Sequence, residues 1–287
     1  MTMRRRRERL SRAISGVGVL IVLVLLWELL SRLVTATGSY HEPLVPSWEY
    51  LWSNSLLRMA DYWDGSFGIP STVEGAAPSY AAALLALTKA SLVTFERVLA
   101  GVACGLVAGI GLGILVSTSR LARRLVAPTV HILRMTPFLA MIPLFNLWFG
   151  AATFGIILFV AYGVAVIMFI GAINAVGNIP KVYFDRAATA GAGVITKYQL
   201  ILLPAIVPEL RSSLLLSFGL AWSLVVAGEL LGAQEGLGVI VTYALQFAYT
   251  GRVMIVAFLF ILYSGISFVI VEALSRRLIA WHHQGTQ

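Results

Sequence analysis

Charge is scarce in this sequence. Only 12% of its 287 residues are Asp, Glu, Lys or Arg, against about 25% in a typical soluble domain, and residues 135–180 contain none. An ordinary water-soluble globule is thereby excluded. Cysteine is almost missing as well: Cys104 stands alone, so no intrachain disulfide can form. The four histidines, at 41, 131, 282 and 283, make no HExxH or Cys/His cluster, and no metal site is indicated. Gly191-Ala-Gly193 invites comparison with a phosphate-binding loop, but no strand precedes it and no Gly-Lys-Ser/Thr follows.

What the chain does have is apolar length. A membrane helix needs about 20 apolar residues, so the charge-free run at 135–180 holds two crossings, and the chain is expected to be an all-α polytopic membrane protein. Six transmembrane helices are predicted, near residues 13–34, 98–119, 125–149, 156–176, 208–231 and 253–274. For the first segment a signal peptide with a cleavage site at Val34-Thr-Ala36 competes with an uncleaved span. The apolar core exceeds the usual h-region of about 7–15 residues, which favours the span.

Between the first two spans, residues 36–93 carry Pro43, Pro46, Asp61, Asp64, Gly65, Gly68 and Pro70, a polar stretch of turns. Its aromatics Trp48, Tyr50, Trp52, Tyr62 and Trp63 suit the membrane interface. Residues 79–94 are expected to form an interfacial helix leading into the second span. There Gly101, Gly105, Gly109 and Gly113 recur every fourth position, a stripe at which another helix can approach closely.

The net charge of +8 is an orientation signal. Six arginines, at 4, 5, 6, 7, 9 and 12, precede the first span, and Arg120, Arg123 and Arg124 follow the second. Lys and Arg flanking spans are retained on the cytoplasmic side. Both termini, residues 120–124 and residues 180–207 are therefore expected in the cytoplasm, and no nucleic-acid partner is needed to explain the charge. On this topology the polar groups fall on opposite sides of the bilayer, so neither a Ser-His-Asp nor a paired-carboxylate site can be assembled.

The cytoplasmic segment between spans four and five discriminates among functions. Residues 184–208 read Phe-Asp-Arg-Ala-Ala-Thr-Ala-Gly-Ala-Gly-Val-Ile-Thr-Lys-Tyr-Gln-Leu-Ile-Leu-Leu-Pro-Ala-Ile-Val-Pro. This resembles the EAA loop of permeases of ATP-binding cassette importers. In that pattern an acidic residue stands six before a glycine and a Leu-Pro pair has its proline thirteen after it, the spacings of Asp185, Gly191 and Leu203-Pro204. Asp185 replaces the family's usual Glu, and Arg186 a usual small residue. Trp27-Glu28-Leu-Leu, Arg97-Val-Leu-Ala-Gly101, residues 135–150 and Glu229-Leu-Leu-Gly-Ala with Gly236-Leu-Gly238 are similar to the permeases serving taurine, aliphatic sulfonates and nitrate. Residues 58–87 look longer than that family's external loop.

The resemblance implies a type I importer transmembrane-domain fold, with residues 1–93 holding the N-terminal tail, first span and external loop and residues 94–280 the core permease domain. It implies a short helix, a turning glycine and a second short helix at 184–204, with Asp185, Arg186, Ala187, Gly191, Leu203 and Pro204 meeting an ATPase subunit. It further implies two copies of that ATPase, which binds the ATP, a periplasmic or lipid-anchored solute-binding protein, a second copy of this chain, and the bacterial inner membrane. No cofactor or bond-making activity of its own is expected. Ser217, Trp222, Ser223 and Glu229, all on the fifth span, are candidates for the translocation path. For Glu229, as for Glu28 and Arg134, an ion pair across the helix bundle is the competing reading. A membrane-embedded enzyme or an ATP-independent channel is the alternative class.

Overall fold

The computed structural model describes residues 18–19, 21–34 and 42–279. The arginines at 4–12, the cleavage-site residues Thr35 and Ala36, and His282 and His283 lie outside the described residues. Helices dominate: α1 (residues 21–33), α2 (Trp48–Tyr50), α3 (Tyr80–Ser117), α4 (Arg120–Met135), α5 (Phe138–Phe149), α6 (Thr153–Gly177), α7 (Lys181–Thr189), α8 (Val194–Lys197), α9 (Leu203–Leu230), α10 (Leu237–Gln246) and α11 (Thr250–Leu278). Two compact units divide the described residues. One holds those up to Thr88 with Ile240–Ala257, and the other Lys89–Val239 with those from Phe258 onward.

The larger unit is built on helix α6, the most buried of the candidate spans. Its partner α3 approaches along the glycine stripe. A Cβ at Gly101 would lie 2.6 Å from Val160 Cβ, one at Gly105 2.6 Å from Val164 Cβ, one at Gly109 2.8 Å from Met168 Cβ, and one at Gly113 2.6 Å from Ala172 Cβ. Each step of four residues on α3 matches four on α6, so the two helices run parallel with backbones in near contact, as the period-four glycines predict. Helix α9 packs on α6 in the opposite direction, with Gly163 against Leu224 and Gly171 against Ser213. Phe159, Val160, Val164, Met168, Leu224 and Val225 form the centre of the core.

Three expectations need correction. Residues 79–94 do not form a separate interfacial helix; they open α3, which continues unbroken to Ser117. At 1.5 Å per residue its 38 residues exceed the roughly 20 needed to cross. The third span is broken: α4 and α5 meet at a 100° bend. The cause is Pro137, which pushes the residue before it out of the helical region, and Thr136 is extended (φ −68°, ψ 130°). Both halves still follow α6 in order. Ala127 and Val130 lie against the Val166, Phe169, Ile170 and Ile173 cluster, Phe138 against Tyr162 and Phe145 against Phe159. The pair thus keeps its order along α6 through a near-right-angle break.

The fifth span does not begin at Pro208. A continuous helix runs from Ile195 to Leu230. Pro204 offers no N–H to the carbonyl four residues earlier, and the helix absorbs this by widening at residues 198–202, where Leu203 N–H reaches back to Tyr198 O. Among the described residues four unbroken helices are long and apolar enough to cross a membrane, or five if the bent pair is one span. The first expected span lies only partly within the described residues.

In the smaller unit the segment between α1 and α3 folds onto α1 and the start of α11. Trp27 Nε1 and Ser31 Oγ donate to the Pro46 and Val45 carbonyls. Arg252 pairs with Asp61 at 3.0 Å and lies 4.1 Å over the Tyr249 ring. Burial, with Glu42 alongside, pushes the Tyr50 hydroxyl up to about 12, and burial also raises that of Tyr62 against the pull of Arg252. Glu28 pairs with Arg32 on its own helix, at 3.1 Å, and not across the bundle.

The glycine packing yields a paired expectation. Gly105→Ala overpacks the α3–α6 contact and costs about 1–3 kcal/mol, read as a lower melting temperature of the detergent-solubilised chain. Gly111→Ala, where a Cβ would meet nothing within 4 Å, leaves it unchanged. Equal melting of the two variants contradicts the close approach.

Candidate functional site

Two clusters stand at opposite ends of the larger unit. The first is the hairpin at residues 181–204. Pro180 starts α7 with its fixed φ and no donor to satisfy. The helix stops where Ala192 N–H bonds Ala187 O at 2.9 Å and Gly191 N–H bonds Ala188 O at 3.0 Å. This is a Schellman stop, whose left-handed position favours glycine, and Gly191 has φ +74°. A Cβ there would meet nothing within 4 Å, so the requirement for glycine is conformational and not spatial. The chain then enters α8 and the continuous helix.

Asp185 and Arg186 are exposed on α7, Ala187 is half-buried, Gly191 and Leu203 are exposed, and Pro204 is half-buried. The second short helix expected at 184–204 is the first part of the span itself. Large apolar side chains are bare on this hairpin, among them Tyr183, Ile195 and Leu200. A cleft of about 380 Å³ opens beside them, lined by Asn178, Pro180, Tyr183, Leu200, Pro204 and Glu209. Parallel α3 and α6 place this hairpin at the same end as residues 120–124; Arg123 reaches the end of α6 at Gly177.

The second cluster is polar and fully enclosed. Arg97 and Glu229 form an ion pair at 2.7 Å with side chains 2% and 0% exposed. Thr94, one turn before Arg97 on α3, donates to the same carboxylate at 3.0 Å and accepts from Leu237 N–H. Gly238 N–H gives the carboxylate a further bond at 2.9 Å. The first turn of α10 therefore has its free donors met by a hydroxyl and a negative charge. Arg97 also donates to Glu235 O at 2.7 Å and to Thr153 Oγ1 at 3.0 Å, at the start of α6. Gly236 (φ +109°) and Gly238 must be glycine here, since a Cβ on either would strike Glu229.

Of the residues expected along the path, Glu229 is thus held in this ion pair. Ser217 is fully buried, and Trp222 is buried with Phe95 edge-on at 5.1 Å and Phe260 and Tyr263 around it. The polar atoms of Ser217 and Trp222 have no hydrogen-bond partner. Ser223 alone of the four is exposed. Arg134 has no carboxylate partner among the described residues. Arg97 stands in the sequence only as the start of the Arg97–Gly101 fragment, and nothing there joined it to Glu229. The available signal was a cation entering one apolar span and a lone carboxylate leaving another at the same end. No group of three or more His, Cys, Asp or Glu positioned for a metal occurs among the described residues.

Residues 101–280 match the family described as binding-protein-dependent transport system inner membrane component. A Bacillus subtilis (strain 168) permease named for aliphatic sulfonate transport is 29% identical over 67% of this chain and 69% of its own length. The taurine transport system permease protein of Escherichia coli (strain K12) is 30% identical over 68% of each chain. Among solved structures, an inward-facing methionine ABC transporter chain superposes with a TM-score of 0.54 at 22% identity, covering 68% of this chain and 94% of that one.

The buried pair predicts an asymmetric mutational pattern. Glu229→Leu alone leaves Arg97 buried without a counter-charge and costs about 3–5 kcal/mol, seen as a large fall in melting temperature. Arg97→Met combined with Glu229→Leu recovers most of that loss, because both charges leave together. Additive losses would contradict the pairing.

Proposed function

The chain belongs to the family of inner membrane components of binding-protein-dependent transport systems, and from that premise we propose that it is the translocating subunit of an ATP-driven importer. The solute is a small sulfonate, taurine-like or nitrate-like molecule, delivered by an external binding protein; the similarity to aliphatic sulfonate, taurine and nitrate permeases supports this class. Two copies of the chain form the path between them, and two copies of a separate ATPase bind the ATP. The chain itself makes and breaks no bonds. Both termini and the hairpin face the cytoplasm, and Ser223 faces the path, with Ser217, Trp222 and Glu229 supporting it from behind.

The observation that carries this reading is the hairpin at residues 181–204. It is stopped by Gly191, carries bare apolar side chains beside Asp185 and Arg186, and continues without a break into a helix that runs the length of the larger unit's core. A docking element joined to a rigid lever can convert closure of a soluble motor into movement of a span. Asp185, Arg186, Ala187, Gly191, Leu203 and Pro204 are the residues proposed to meet or position the ATPase. From Ile195 to Leu230 the lever is about 54 Å long at 1.5 Å per residue, and its far end is fixed by the Arg97–Glu229 pair.

The test uses the tagged chain, gently solubilised. It is expected to bring down an ATPase subunit. Gly191→Val, with about 1–2 kcal/mol of left-handed strain, and Asp185→Lys, with reversed charge, are each expected to lower solute-dependent ATP hydrolysis in vesicles by roughly tenfold. Recovery of the chain with no ATPase, or full coupling in both variants, contradicts the proposal.

A further inference from the structure

Helix α4 is unlike the other long helices of its unit. None of its sixteen residues is buried, and it carries Arg120, Arg123, Arg124, His131 and Arg134 with no Asp or Glu. At 100° per residue all five fall within an arc of about 100°. Beside that arc Leu121, Leu125 and Ile132 line a second strip, 68%, 66% and 68% exposed. Arg123 lies over Gly177 at the C-terminal end of α6, where a cation is favoured by the helix dipole. Arg120, Arg124 and Arg134 form no ion pair with any described residue.

Retention of positive charge on one side of the membrane explains that arginines occur after the second span, but not that they share one face. Nor does it explain why the neighbouring face is bare and apolar. The 100° bend at Thr136–Pro137 adds the geometry. When α5, about 18 Å long, enters the bilayer along its normal, α4 lies close to the bilayer plane, at the end of the charge-free run. A basic face beside an apolar face, on a helix lying in the plane, is the arrangement that binds a lipid surface.

We propose that α4 is seated in the headgroup layer of an anionic leaflet, with Arg120, Arg124 and Arg134 on lipid phosphates and Leu121, Leu125 and Ile132 among the acyl chains. A second copy of this chain is a poor occupant of the same face, because a two-fold contact through α4 would bring arginines against arginines with no acid between them. The inference needs only that the chain spans a membrane, so it stands apart from the importer reading.

The test places the full-length chain in nanodiscs of phosphatidylcholine, alone or with about a quarter phosphatidylglycerol, and follows hydrogen exchange of residues 120–135. Exchange is expected to slow by about fivefold or more in the anionic discs, and the slowing to vanish at high salt. A charge-relocated variant, Arg120→Gln and Arg124→Gln with Ala122→Arg and Thr129→Arg, keeps the basic count but scatters the arc, and is expected to lose the slowing. Unchanged exchange on α6 shows that this variant is folded, and the wild-type lipid and salt comparisons need no variant. Equal exchange in the two lipids overturns the proposal. So does full slowing in the scattered variant, which leaves only the orientation signal. Slowing by free taurine or nitrate in phosphatidylcholine discs, with nothing added by phosphatidylglycerol, also overturns it, since the face then holds the solute anion.

Discussion

The Arg97–Glu229 ion pair fastens one end of the larger unit. It joins α3 to α9 directly, reaches α6 through Thr153, and holds the start of α10 through Gly238 and the Glu235 carbonyl. A buried pair of charges is weak evidence of net stability, because desolvation offsets much of the attraction. Its value is geometric. Thr94 and the Gly238 N–H satisfy the remaining carboxylate positions, so the charges are accommodated in one arrangement only, and four chain segments must register together to make it.

From that anchored end the helices extend with little freedom to slide. The glycines of α3 bring its backbone onto α6, where each would-be Cβ collides with a side chain or carbonyl, and lipid offers no hydrophobic drive that could replace this packing. Helix α9 runs antiparallel on the same α6 and emerges, through the widened turn at 198–202, as the hairpin stopped at Gly191. Clamp, lever and the proposed docking surface are thus consecutive along one helical element. The proposed importer function needs that continuity more than it needs any single polar group in the path.

Much of this was legible in the residues because it depends on local periodicity. The glycine stripe follows from a four-residue repeat, and the Gly191 turn from the resemblance of residues 184–208 to the EAA loop of importer permeases. What escaped depends on geometry that hydropathy averages away. Residues 125–149 read as one apolar span although the Thr136–Pro137 step turns the chain by 100°. Pro204 and Pro208 read as a helix boundary although a wide turn carries the helix past the first of them. The partner of Glu229 was hidden because it lies 132 residues away, and only the register of α3 against α9 through α6 brings Arg97 to it.

The most direct measurement is a spin-label distance along the lever, in the assembled transporter with and without ATP. Labels at Ile195 and Leu216, both exposed, bracket Pro204 and Pro208, with Cys104 replaced by Ser. A rigid lever predicts a separation of about 32 Å, from 21 steps of 1.5 Å, unchanged by nucleotide, while the separation of the Ile195 labels in the two copies shifts. A nucleotide-dependent change in the distance within one helix would show that the lever bends at its prolines, and that the hairpin is not rigidly joined to the span.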